Sequence, residues 1–136
     1  MKYKYLTQMN RDPSKPHFRR PVVDVELIGP AKSITTIAIV DSGADNCLFN
    51  IEYAKAIGID LEKCEKDRTI GIEGNGKEVL MTNLEIRVKD LGKIKIPVGF
   101  IDSESVIGLL GQSGFFDIHR IKFERDHNTF EITPVK

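Results

Sequence analysis

Tryptophan is absent from this chain, cysteine occurs only twice and histidine only three times. Cys47 and Cys64 form no Cys-x-x-Cys pair, and His17, His119 and His127 are scattered, with no His-Glu-x-x-His or Cys/His ligand spacing. A zinc cage therefore has no visible donor set, and the two cysteines read as reduced, partly buried thiols rather than a disulfide framework. An excess of one charge is also missing: 20 basic residues face 20 acidic ones. No global field draws such a chain to nucleic acid or to an anionic membrane, so partner choice must come from a local site. Before Asp41 the longest uncharged stretch runs from Ser33 to Val40, far too short to span a bilayer, and the polar N-terminus has no signal-peptide apolar core. The expectation is a soluble, cytoplasmic protein with no cofactor, metal, membrane or nucleic-acid partner. A nucleic-acid-binding β-barrel ranks last, because it requires a basic face with interleaved aromatics.

What is present is a chain of 136 residues, enough for one domain that buries roughly two thirds of its unfolded surface. Residues 1–20 are charged and carry Pro13 and Pro16, which suits an extended arm, although Tyr3, Tyr5 and Leu6 can form a short strand. The domain proper is expected over residues 21–136. Val23, Val25 and Leu27 alternate with Asp24 and Glu26, the period-two mark of a half-buried strand that Gly29-Pro30 turns. Ile34 to Val40 is β-branched and reads as a more fully buried strand running into Asp41-Ser42-Gly43. Asn50 is placed to cap a short helix through Ile57, with Gly58 as its stop.

Two extended arms, Thr69 to Ile72 and Lys77 to Val88, flank Glu73-Gly74-Asn75-Gly76, the pattern of a hairpin with a glycine-rich tip. Ile94, Ile96 and Val98 alternate again, Val106 to Leu110 is an apolar run, and Phe123 to Ile132 turns back through Asp126-His127-Asn128. Lys and Glu within 62–67 read as a solvated loop, Cys47 as core, and Phe115 and Phe116 as packing for a short helix. The fold class is mainly β.

The tripeptide Asp41-Ser42-Gly43 carries the most specific chemistry. Gly43 permits a tight turn after the acid, the Ser42 hydroxyl is placed to brace the loop, and the preceding strand holds Asp41 rigid. An ordinary Asx turn explains the same three residues, and position alone leaves the two readings level. Calcium is a weaker reading. Asp41, Asp45 and Glu52 fall at the first, fifth and twelfth positions of an EF-hand spacing, yet Gly43 stands at the third ligand position and Asn46 where that loop needs glycine. The glycines of 71–76 and 108–114 do not lead into Gly-Lys-Ser/Thr, so they read as turns rather than phosphate cradles.

The order of these elements raises the first reading. A strand, Asp41-Ser42-Gly43-Ala44-Asp45, a hairpin tipped by Gly71-Ile72-Glu73-Gly74-Asn75-Gly76, then Val106-Ile107-Gly108-Leu109-Leu110-Gly111 with a short helix resembles the retroviral-type aspartic peptidases, the retropepsins, over about Pro21 to Ile132. The Gly114-Phe115-Phe116-Asp117 continuation resembles the cellular single-domain branch. The resemblance implies a small closed β-barrel-like fold with a flap hairpin and one or two short helices. It implies Asp41 as the catalytic acid, residues 71–76 as a flap over substrate, and Leu109-Leu110-Gly111 as support beneath the active-site loop. It further implies a homodimer acting on a peptide or protein, because each chain supplies one of the two carboxylates that must share a proton. Terminal strands of two chains pair in that family.

Two departures accompany the resemblance. Gln112 stands where the family has Arg, so either Gln112 bonds Asp45 neutrally or Arg19, Arg20 or Arg120 substitutes. Glu73 and Asn75 make the flap tip more polar than the apolar tips of viral members. The alternative function is a non-catalytic peptide-binding or dimerisation module of the same fold. An intact Asp41 argues against it, since a binding module gains nothing from burying two like charges face to face.

Overall fold

The computed structural model describes residues 1–8, 10–69 and 76–135. Three short strands come first: β1 (Lys2–Lys4), β2 (Leu6–Gln8) and β3 (Phe18–Arg20). The barrel strands β4 (Val22–Ile28), β5 (Ser33–Val40) and β6 (Leu48–Asn50) follow, and helix α1 (Ile51–Ile57) continues from the last of them. Next come β7 (Glu65–Arg68), β8 (Glu78–Val88), β9 (Lys93–Ile101), β10 (Gly108–Leu110), β11 (His119–Glu124) and β12 (Thr129–Pro134). Single 3₁₀ turns occupy Leu61–Lys63, Phe116–Ile118 and Arg125–His127.

Sheet order β4-β5-β10-β6-β9-β8 closes on itself, because the end of β8 pairs antiparallel with β4, from Val25 opposite Val88 to Ile28 opposite Glu85. The other half of the same edge of β8 takes β7, so one long strand closes the barrel and carries a hairpin. Closure leaves the barrel strands no free edge along the shared ladder. Among the described strands two pairings are parallel, β10 with β5 and β6 with β9, and the loop carrying Asp41 joins β5 to β6.

The period-two pattern of Val23, Val25 and Leu27 survives intact, and all three are buried. Strand β5 differs from the more fully buried strand the sequence implies. Thr36, Ala38 and Val40 face the core while Ile37 stays 39% exposed, since β-branching raises strand propensity on either face. Residues 62–67 are likewise not a plain loop: Leu61–Lys63 is a 3₁₀ turn and Glu65–Arg68 an exposed strand held by the β8 ladder. Main-chain pairing outweighs the charged side chains there, all of which point to water.

Helix α1 forms as its caps dictate. The Asn50 side chain accepts from the Glu52 N–H, and Gly58 ends the helix at φ 86°, a left-handed conformation glycine takes without strain. Ala54 and Ile57 enter the core, and the Tyr53 hydroxyl accepts from Thr36 Oγ1 at 2.9 Å. Phe49, Phe100, Phe115 and Phe130 are the largest fully buried side chains of the barrel interior.

Tyr3 and Leu6 do lie in strands. β1 pairs with β12 of its own chain, and β12 pairs with β11. Tyr3 stacks on Phe130 with centroids 5.4 Å apart, and the N-terminal amine donates to the Ile132 carbonyl. β2 and β3 form a separate two-stranded hairpin. Among the described residues no helix is long and apolar enough to cross a membrane.

Candidate active site

Asp41 sits one residue beyond β5, at the point where parallel strands β5 and β10 end together. Its N–H donates to the Leu110 carbonyl at 2.9 Å, extending the ladder by one bond and fixing the backbone of the acid. The chain then turns at once. Ala44 N–H returns to the Asp41 carbonyl (3.2 Å), and Gly43 N–H donates to Asp41 Oδ1 (2.9 Å). One carboxylate oxygen is thereby oriented by a backbone donor, and Asp41 remains half-buried beside exposed Ser42 and Gly43.

The loop is clamped from its far side by the segment after β10. Gln112 N–H donates to Ala44 O and Ser113 N–H to Asp45 O, both at 2.8 Å. Gly111 passes directly under the loop: a β-carbon there would lie 2.6 Å from the Ala44 carbonyl oxygen and against that of Asn46, so only glycine fits. Buried Cys47 packs at the same crossing, where Gly111 N–H points at its sulfur (3.4 Å). Burial pushes the Cys47 thiol up, which keeps it neutral within this apolar seat.

Two expectations for this loop need correction. The Ser42 hydroxyl makes no hydrogen bond among the described residues, because Ser42 projects outward. Its main-chain carbonyl is used instead, accepting from Gln112 Nε2 at 2.8 Å. Gln112 consequently does not bond Asp45, whose exposed side chain has no ion-pair partner among the described residues. Glutamine reaches a neutral acceptor where arginine would seek a carboxylate. Arg19, Arg20 and Arg120 likewise make no ion pair among the described residues.

Leu109 and Leu110 divide their work by strand alternation. Leu110 is fully buried, whereas Leu109 pairs with Ile39 and faces outward beside it. Ile37, Ile39 and Asp41 occupy one face of the same chain segment, so an apolar surface leads up to the carboxylate. Sequence reasoning did not single out Ile37, Ile39 or Ile107. The available signal was the apolar pair Ile37 and Ile39 at the last two outward positions of β5, just before Asp41.

Asn50 does more than cap helix α1. Its Nδ2 also donates to Ser103 O (2.9 Å) and Val106 O (3.2 Å), tying α1 to the loop before β10. Of the two arms expected to flank the glycine-rich tip, the second is seen as β8, but its described partner begins earlier than Thr69, at β7. The two pair from Glu65 opposite Met81 to Arg68 opposite Glu78, with Thr69 N–H donating to Lys77 O beyond them. Gly76 closes their described part, its carbonyl accepting from the Arg68 guanidinium at 3.3 Å. Gly71, Ile72, Glu73, Gly74 and Asn75 lie outside the described residues.

Comparison with known proteins agrees with this geometry. The family described as aspartyl protease matches residues 23–113, from β4 through the Gln112-Ser113 clamp. No curated protein matches the sequence. Among solved structures, a retropepsin-like aspartic protease from Rickettsia conorii aligns with TM-score 0.61 and 17% identity, covering 96% of this chain and 99% of that one. The retroviral protease-like domain of Ddi1 from Leishmania major aligns with TM-score 0.61 and 17% identity, covering 85% and 90%. By its family match and its closed barrel, the chain belongs to the aspartyl protease family and has the retropepsin-like fold.

Proposed function

We propose that two copies of this chain form a twofold dimer that hydrolyses peptide bonds, each copy supplying one Asp41. The observation that carries this reading is the seat of Asp41: a strand-end carboxylate oriented by Gly43 N–H, on a loop clamped by Gln112 and Ser113. Such rigidity is what a general acid–base pair requires and what an ordinary surface turn does not.

A single chain has one such motif, so the second carboxylate comes from the other copy. Two carboxylates held face to face share one proton. The ionised member takes a proton from the water between them as that oxygen bonds to the scissile carbonyl carbon. Its protonated mate gives its proton to the carbonyl oxygen. The resulting gem-diol collapses as the C–N bond breaks: the amide nitrogen leaves with a proton from the first carboxyl, and the second carboxylate takes back a proton from a gem-diol hydroxyl.

Within this reading residues 21–136 form the peptidase domain, residues 1–20 an arm, and residues 71–76 a flap that closes over an extended substrate. Free Cys47 and Cys64 fit a cytoplasmic setting. The test is incubation with a diverse peptide mixture from acidic to neutral pH, beside Asp41→Asn, with new ends identified by mass spectrometry. Cleavage that disappears in the variant establishes the activity. No cleavage from a confirmed dimer replaces it with a peptide-binding module.

A further inference from the structure

The β2–β3 hairpin lies N-terminal to the segment matched by the family, and its role follows from what it borders. A groove of about 380 Å³ runs along the outward face of β5 and β10, floored by Val22, Ile37, Ile39, Ile107 and Leu109. One wall is built by Leu6, Gln8 and Arg20 of the hairpin, and Ser105 and Val106 also line the groove. Ile37 and Ile107 are 39% and 50% exposed, an apolar surface with no covering element among the described residues. Asp41 is the next residue after Ile39 on that side of the chain, so the groove leads toward the carboxylate, which does not itself line it.

Gln8 and Arg20 also line a second, polar depression on the hairpin, with Arg11 and Lys15. The two depressions are therefore neighbours, with Gln8 and Arg20 bordering both. Residues 6–20 contain Arg11, Lys15, Arg19 and Arg20 against a single acid, Asp12, although the chain as a whole is neutral. That acid is occupied in its own turn, where its carboxylate accepts from Ser14 N–H (3.0 Å) and Ser14 Oγ (2.7 Å). Arg11, Lys15 and Arg20 have no carboxylate partner among the described residues, and Arg20 rests over the Phe18 ring at 5.7 Å.

We propose that the β2–β3 hairpin is a specificity wall. It selects extended peptides that place a large aliphatic or aromatic side chain in the groove and Asp or Glu residues along Arg20, Arg11 and Lys15. The inference rests on the peptidase reading and names its substrate class. An extended peptide advances about 3.3 Å per residue, so acids a few positions from the apolar residue reach the hairpin cations. These cations are exposed and act chiefly by steering and selection, with an effect that salt weakens.

The test uses full-length Asp41→Asn protein, which removes cleavage, and two fluorescein-labelled peptides with one apolar centre flanked by Glu in one and Lys in the other. We expect the Glu peptide to bind about five- to tenfold more tightly at low salt, the gap narrowing as salt rises. Adding Arg11→Glu, Lys15→Glu and Arg20→Glu abolishes or inverts the preference. Arg11→Glu with Lys15→Glu alone, both away from the barrel, reduces it, and the salt dependence of the unaltered hairpin is an independent readout. Equal affinities, no binding of either peptide, or a preference indifferent to charge reversal overturns the proposal. Cleavage by native protein without acidic preference leaves the peptidase reading standing and removes this one; acidic preference in binding without cleavage by native protein does the reverse.

Discussion

Gln112 Nε2 donates to the Ser42 carbonyl across 2.8 Å, closing the Asp41 loop with a neutral hydrogen bond from the segment that follows β10. Gln112 is exposed, so water replaces part of what its removal costs. Gln112→Ala should lose less than about 1.5 kcal/mol of stability yet lower turnover about tenfold or more, because the loop gains freedom at the reacting atoms. Gln112→Glu gives a sharper readout. Its carboxylate opposes the Ser42 carbonyl near neutrality and donates to it again once protonated, so the defect should shrink as pH falls through about 4. Thermal melts and kcat/KM across pH check both; unchanged kcat in Gln112→Ala would refute the clamp.

The crossing of Gly111 beneath the loop makes a second prediction. Gly111→Ala forces a methyl group against the Ala44 and Asn46 carbonyls, which are backbone and cannot swing aside. A loss of about 1–3 kcal/mol is expected, with activity falling further than stability. Denaturant unfolding beside peptide cleavage measures the two separately.

Asn50 joins three partners: Glu52 N–H, Ser103 O and Val106 O. Asn50→Asp keeps the helix cap and loses both donors, leaving a carboxylate against two carbonyls. It should therefore destabilise at least as much as Asn50→Ala, about 1–3 kcal/mol, although Asp is as good a cap as Asn in an isolated helix. A melt showing Asn50→Asp equal to wild type would disprove the tie.

His119 is buried, stacked on Phe115 with centroids 4.3 Å apart, and its Nδ1–H donates to the Phe115 carbonyl at 2.9 Å. Burial holds its pKa below the usual 6.5, with the carbonyl opposing that shift. The unfolded chain therefore takes up a proton first as pH falls. Stability from neutral His119 is complete above about 6.5, declines below it, and is lost once pH passes the depressed folded value. His119→Gln should flatten this part of the stability profile, measured by chemical unfolding at a series of pH values.

At the other end of the scale, burial and then the Asp90 charge push the Tyr3 phenol up to about 12 from 10.0. Its hydroxyl donates to the Lys89 carbonyl, holding β1 against the barrel. The neutral phenol is favoured in the folded state, so its contribution is full below about pH 10 and disappears between 10 and 12. Tyr3→Phe removes that alkaline step and costs about 0.5–1.5 kcal/mol at neutral pH. Hydrogen exchange at β1 and β12 amides reads the effect locally.

Local rules were enough for much of this molecule. Val23, Val25 and Leu27, the caps Asn50 and Gly58, and the turn through Asp126-His127-Asn128 could be placed from residues alone, because each depends on neighbours a few positions away. Asp41-Ser42-Gly43 was visible for the same reason, and the order of three motifs made the family recognisable. Burial of β5 was misjudged because Ile37 and Ile39 look like core residues, and only the position of β5 in the closed barrel turns them outward.

By itself, then, the sequence determined the mainly β class, the capped helix and an acid at a strand end. Tertiary structure decided what lies across from that acid. The parallel pairing of β10 with β5 brings Leu110 and Gln112 to a loop some seventy positions away in the chain, as the 70-residue separation of Gln112 and Ser42 records. It also sets the hairpin of residues 6–20 beside Ile37 and Ile107. Such contacts depend on which strands become neighbours when the barrel closes, a choice made by the whole core and not by the residues that meet.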